Sequence, residues 1–126
     1  MLYSILSQKR VTNIPYQKDY KRWRARLPDN DYHAILAELT QRIDGTEIQT
    51  SSWMPGKDWS GTVFDPIYSK ACNGDFSEAA QFFGLLLWET FLHHPECWAF
   101  GRYELDGVPI QGLTYFKVDS KACSGK

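Results

Sequence analysis

The sequence lacks any apolar run long enough to cross a bilayer. A spanning helix needs about 20 predominantly apolar residues, and the longest stretch here, Phe82 to Trp88, is interrupted by Gly84. No membrane segment is expected. The start, Met1-Leu2-Tyr3-Ser4-Ile5-Leu6-Ser7, is too short for the apolar core of a secretory signal and runs into Gln8-Lys9-Arg10 rather than into small residues. It reads instead as a strand or an ordered arm. Cysteine is scarce, and Cys72, Cys97 and Cys123 form an odd set with wide spacings and no Cys-x-x-Cys. That pattern suits neither a disulfide framework nor a zinc knuckle, so reduced thiols in a cytoplasmic protein are expected. Repeats, low-complexity tracts and Gly/Ser linkers are also missing, which leaves a single domain over residues 1–126. Nor is there a Gly-x-Gly-x-x-Gly, a P-loop, a nucleophile elbow, a His-Glu-x-x-His or an EF-hand pattern.

Aromatic residues, in contrast, are abundant. They make up 15% of the chain, with five Trp, and hydrophobic residues reach 43%. A chain of this length and composition can bury enough apolar surface to offset its conformational entropy, with rings to spare. The formal charge of −1 hides an uneven distribution: residues 1–28 carry a net +6 and the remainder −7. Residues 1–28 therefore read as a basic N-terminal arm or edge strand that meets an acidic partner or the acidic body of its own fold.

Two helices are marked by apolar spacing. Tyr32, Ile35, Leu36, Leu39 and Ile43 form one stripe, preceded by Pro28-Asp29-Asn30-Asp31 as capping residues and followed by Gly45. From Ser77 to His93 apolar side chains cover most of the circumference, with Asp75 or Ser77 as cap and Pro95 as terminator. This second helix is the expected core, and Gly84 within it suggests a close backbone approach to a sheet. Trp98 to Val118 reads as a β-hairpin about Asp106-Gly107, pairing Leu105 with Val108, Tyr103 with Ile110 and Phe100 with Leu113. Thr46 to Trp53 and Thr62 to Phe64 are shorter strand candidates. Strands arriving in adjacent pairs predict an α+β fold with an antiparallel sheet of about four or five strands packed against two helices.

Three segments carry candidate chemistry. Lys18-Asp19-Tyr20-Lys21-Arg22-Trp23-Arg24-Ala25-Arg26 interleaves cations with rings. A nucleic-acid surface built on Lys18, Lys21, Arg22, Trp23, Arg24 and Arg26 would neutralise phosphate and stack bases; the same alternation suits an edge strand with Trp23 packed inward. In His93-His94-Pro95-Glu96-Cys97 the side chains His93, His94 and Cys97 are metal-compatible, yet adjacent residues at a helix end point apart, and histidines there serve as a cap. The stretch Trp53 to Tyr68 holds Trp53, Met54, Trp59, Phe64 and Tyr68 around Pro55-Gly56-Lys57-Asp58. Trp is enriched at binding hot spots, so Trp53 and Trp59 with the polar rim Lys57 and Asp58 form a candidate partner surface; otherwise these rings roof the core.

The leading expectation is a non-catalytic protein-interaction domain: a small regulator, adaptor, inhibitor or immunity-type factor with a protein partner and no cofactor. Alternatives are a nucleic-acid binder using residues 18–26, and a small-ligand or metal-assisted enzyme near His93, His94 and Cys97. The two binding readings separate on whether Arg22, Trp23 and Arg24 form an open basic surface or are tied to acids of the same fold.

Overall fold

The computed structural model describes residues 1–4, 8–44, 48–50, 59–101, 104–105, 108–109 and 114–118. Two short strands, β1 (Leu2–Ser4) and β2 (Lys9–Val11), pair antiparallel with Leu2 opposite Val11. Helix α1 (Gln17–Arg26) follows, and α2 (Asp29–Ile43) begins after a turn at Leu27 and Pro28. Strand β3 (Ile48–Thr50), a π-helical turn (Ile67–Ala71) and the long helix α3 (Phe76–Leu92) come next. The remaining strands are β4 (Trp98–Gly101), β5 (Glu104–Leu105), β6 (Val108–Pro109) and β7 (Thr114–Lys117).

The class is α+β, but the expected antiparallel sheet on two helices is overturned. Sheet order is β2-β1-β4-β7-β3, with β5 and β6 forming a separate two-stranded ladder. At the centre, β1 runs parallel to β4, with Leu2 opposite Trp98, while β4 and β7 are antiparallel, so the three form a mixed unit flanked by short edges. Pairing each strand with its neighbour in sequence could not find this, because β1 returns to a strand nearly the whole chain away. Leu105 does face Val108 as expected, but Phe100 faces Tyr115 rather than Leu113. The expected strand at Thr62–Phe64 is instead a chain of turns, with bonds from Thr62 N to Trp59 O, Asp65 N to Thr62 O and Ile67 N to Phe64 O.

The basic segment is a helix and not an edge strand. Its alternation of charge and rings suggested period two, yet Tyr20, Trp23, Arg24 and Leu27 recur at i, i+3, i+4 and i+7, which is a helix face. Trp23 and Leu27 are fully buried there. Burying a whole indole outweighs the modest strand preference of aromatics, since such a side chain contributes several kcal/mol while propensity differences are about 1 kcal/mol or less.

Helix α3 is the centre of the molecule. Asp75 caps it, its carboxylate accepting the N–H of Glu78 at 3.0 Å. Phe82, Phe83, Leu86, Leu87 and Phe91 are buried. Near its start, Phe82 meets Trp23 and Tyr20 while Phe83 meets Phe64 and Trp59; near its end, Phe91 stacks on Tyr115 at 4.1 Å between centroids. The helix thus joins the other helices to the sheet.

Gly84 does not mark a close approach. A Cβ added there meets nothing within 4 Å. With no steric cost, Gly84→Ala removes conformational freedom from the unfolded chain and adds a better helix former. We expect it to raise stability by up to about 1 kcal/mol, read from the urea midpoint. A lower midpoint would overturn this account of the helix surface.

Candidate functional site

The sequence placed polar function in three segments, and the fold treats each differently. Around α1 the arginines are bonded within the fold. The Arg22 guanidinium donates to Glu78 at 3.1 Å and lies 3.3 Å from Asp19. Arg24 donates to Leu27 O at 3.0 Å and to Asp29 at 2.8 Å, its guanidinium lying over the Tyr32 ring at 3.8 Å. Arg26 donates to the Ala71 carbonyl, and the buried Trp23 indole donates to Glu78 at 3.1 Å. Lys18 and Lys21 alone of the six proposed nucleic-acid contacts stay exposed without a partner among the described residues. Arg22 and Arg24 are therefore tied to acids of the same fold.

Glu89 organises the interior ends of these helices. The residue is only 7% exposed, and a carboxylate so placed must have partners to offset lost hydration. Tyr20 on α1 donates to one oxygen and Tyr32 on α2 to the other, each at 2.8 Å. Three helices meet at one carboxylate. Burial, followed by the hydrogen bond to Glu89, raises the Tyr20 phenol above its ordinary value, and burial does the same for Tyr32.

An open hollow of about 130 Å³ lies between α2 and the end of α3, with Leu36 and Thr40 on one side and Glu89, Thr90, His93 and His94 on the other. Its polar walls are committed elsewhere. Both Glu89 oxygens are engaged, and the Thr90 hydroxyl donates to Leu86 O at 2.8 Å. His94 is buried, and the backbone N–H of Glu96 donates to its Nδ1 at 3.1 Å. That bond leaves the proton of the neutral ring on Nε2, which donates to Asp44 at 3.0 Å. Neither ring nitrogen is left for a metal or for proton transfer.

The rest of the metal candidate is dispersed. His93 is exposed, and Cys97 is buried and disulfide-bonded. This corrects the expectation of three reduced thiols and removes its support for a reducing compartment. Cys72 is free and buried, its thiol pushed up to about 12 by burial and then by Glu78 and Asp75, so it is a poor nucleophile. Among the described residues no group of three His, Cys, Asp or Glu could hold a metal ion, and no helix is long and apolar enough to cross a membrane.

The candidate partner loop is only partly described: Trp53, Lys57 and Asp58 lie outside the described residues. Trp59 is 1% exposed, stacked on Tyr68 and edge-on to Phe76 and Phe83. It is a core residue and offers no anchor to a partner. Among the described residues the Phe, Tyr and Trp rings most open to solvent are Tyr16 and Phe76, which the sequence reading passed over. Tyr16, just ahead of α1, is 75% exposed and held at φ 53°, a left-handed conformation that costs a residue with a Cβ about 1 kcal/mol or more. A ring at the capping position itself gave no periodicity signal. Glu89, a lone acid among Leu86, Leu87 and Phe91, has the pattern that a buried carboxylate leaves in a sequence.

No family model matches this chain, and neither a curated protein nor a solved structure is significantly similar to it.

Two outcomes follow from these placements. Trp59→Ala should cost about 3 to 5 kcal/mol of stability, as expected for a buried indole, and a small shift in the urea midpoint would contradict its place in the core. Because the Tyr20, Tyr32 and Tyr115 phenols have raised folded-state values, the unfolded chain ionises first, near pH 10. Their contribution is intact below that pH and is lost as pH rises above it. Tyr20→Phe should lower stability at pH 7 by about 1 to 3 kcal/mol and make the alkaline loss shallower, measured by urea midpoints from pH 7 to 11. An unchanged alkaline slope would exclude Tyr20 from that titration.

Proposed function

We propose that this chain is a non-catalytic protein-interaction domain, of the regulator, adaptor or inhibitor kind, and that Tyr16 is a principal contact. The supporting observation is the placement of Tyr16: a large ring in solvent, on a strained but pinned backbone. The Trp88 indole donates to Asn13 O at 3.1 Å, Ile14 packs against the core, and Tyr16 O accepts the N–H of Tyr20 at 3.0 Å. A ring carried on a backbone held in this way requires no ordering of that backbone on binding, which is an advantage of a preorganised anchor.

The test uses two substitutions. Tyr16→Ala should weaken binding to a purified partner by about 2 kcal/mol or more. Tyr16→Gly should do the same while leaving stability within about 1 kcal/mol of the parent, because glycine tolerates positive φ. Partners would be found by affinity capture and admitted only when the purified protein binds the parent chain directly. Full affinity in both variants would defeat the proposal.

A further inference from the structure

Residues 72–75 join the π-helical turn to α3 through a β-turn. The N–H of Asp75 donates to the Cys72 carbonyl at 2.9 Å, and both central residues have positive φ, 52° at Asn73 and 81° at Gly74. Asn-Gly is the dipeptide that a turn with two such residues favours. Gly74 is exposed as a residue, yet its N–H donates to the Tyr68 carbonyl at 2.7 Å, back across the π-helical turn. Directly after the turn, the Asp75 side chain caps α3 by accepting the N–H of Glu78, and its carbonyl accepts the N–H of Ala79.

The same dipeptide is chemically labile. The backbone nitrogen after an Asn lies within reach of the side-chain amide carbon, and a following Gly places no Cβ in the way. That nitrogen loses its proton and attacks Cγ; the new C–N bond closes a succinimide ring, and the side-chain nitrogen departs with the proton as ammonia. Water then opens the ring. Cleavage at Cγ gives aspartate, whereas cleavage at the main-chain carbonyl carbon gives isoaspartate, whose backbone is longer by one methylene. Asn13 and Asn30 precede Ile14 and Asp31, whose side chains hinder the same attack.

We infer that Asn73-Gly74 is a deamidation site which the fold holds shut, and that its isoaspartyl product disarms the cap of α3. The nucleophile is the nitrogen whose proton the Tyr68 carbonyl accepts, so the reaction waits on local opening of residues 67–75. Isoaspartate inserts its methylene into a turn closed by the bond from Asp75 to Cys72, and so displaces the Asp75 carboxylate from the Glu78 N–H. Aspartate at position 73 keeps the backbone length and tolerates the left-handed conformation, so it leaves the turn in place.

The experiment holds the full chain at mildly alkaline pH, folded or in guanidinium chloride, and follows residue 73 by peptide mass mapping with chromatographic separation of aspartate from isoaspartate. Asp44-Gly45 and Asp106-Gly107 can close the same ring with loss of water, so the assay scores the mass gained when NH2 is exchanged for OH. In the denatured chain Asn73 should convert ahead of Asn13 and Asn30. In the folded chain conversion should be slower by about tenfold or more, and the Gly74 amide should show hydrogen exchange slowed to a similar degree. Asn73→Gly, which accepts the positive φ, should give no product at this position. The isolated isoaspartyl protein should have a lower urea midpoint than the parent, while Asn73→Asp stays near the parent.

Equal conversion rates in the folded and denatured chains, or a Gly74 amide that exchanges freely, overturn the inference that the fold holds the site shut. Conversion at Asn73 no faster than at Asn13 and Asn30 in denaturant overturns the site itself. An isoaspartyl protein as stable as the parent overturns the link to the α3 cap.

Discussion

The helical half of this protein depends on a carboxylate that has been taken out of water. Glu89 accepts from Tyr20 and Tyr32, so the approach of α1 and α2 to α3 is fixed by the requirement to satisfy its two oxygens. Apolar packing alone would tolerate several angles between these helices. Two hydrogen bonds at 2.8 Å tolerate far fewer, and a lapse in either leaves a charge poorly solvated. Glu78 plays a related part nearer the start of α3. Its backbone N–H is taken by the Asp75 cap, which leaves the side chain free to receive Trp23 and Arg22 from α1.

This arrangement explains why the uneven charge of the sequence does not produce a uniformly basic arm. Arg22 and Arg24 are absorbed by Glu78 and Asp29, which belong to the acidic remainder of the chain. Much of the charge separation along the sequence is therefore closed within the fold. Among the described residues, Lys9, Arg10, Lys18 and Lys21 have no ion pair, and Tyr16 between them in the chain is exposed. Such a remnant is suited to orienting a partner more than to holding it by charge alone, because exposed charges act mainly on encounter rate and salt dependence.

The long helices were legible because their apolar spacing is strong. Asp75, Leu87 and Phe91 stand where the sequence predicts, and the Leu105–Val108 pairing follows from turn chemistry. Helix α1 was obscured because alternating charges and rings mimic a strand, and only the depth of Trp23 decides between the two. The mixed sheet was invisible for a different reason. Nothing local in Leu2-Tyr3-Ser4 encodes that its neighbour is Trp98-Ala99-Phe100. Trp59 was misplaced because composition cannot distinguish a ring that roofs the core from one that faces a partner. Burial of its neighbours Phe64 and Phe83 settles the matter for the described part of that stretch.

The parallel pairing of β1 with β4 bears on how the chain is made. Strand β1 is made well before β4, one of its two neighbours in the sheet. Until then β1 has only β2 beside it, and a two-stranded hairpin of three-residue strands has little stability of its own in water. The helices, whose contacts are closer in sequence, can assemble before the sheet closes. An edge of β1 therefore stays unpaired until β4 is made, and the neighbouring edge strand β2 carries Lys9 and Arg10, the kind of charge that discourages pairing with other strands.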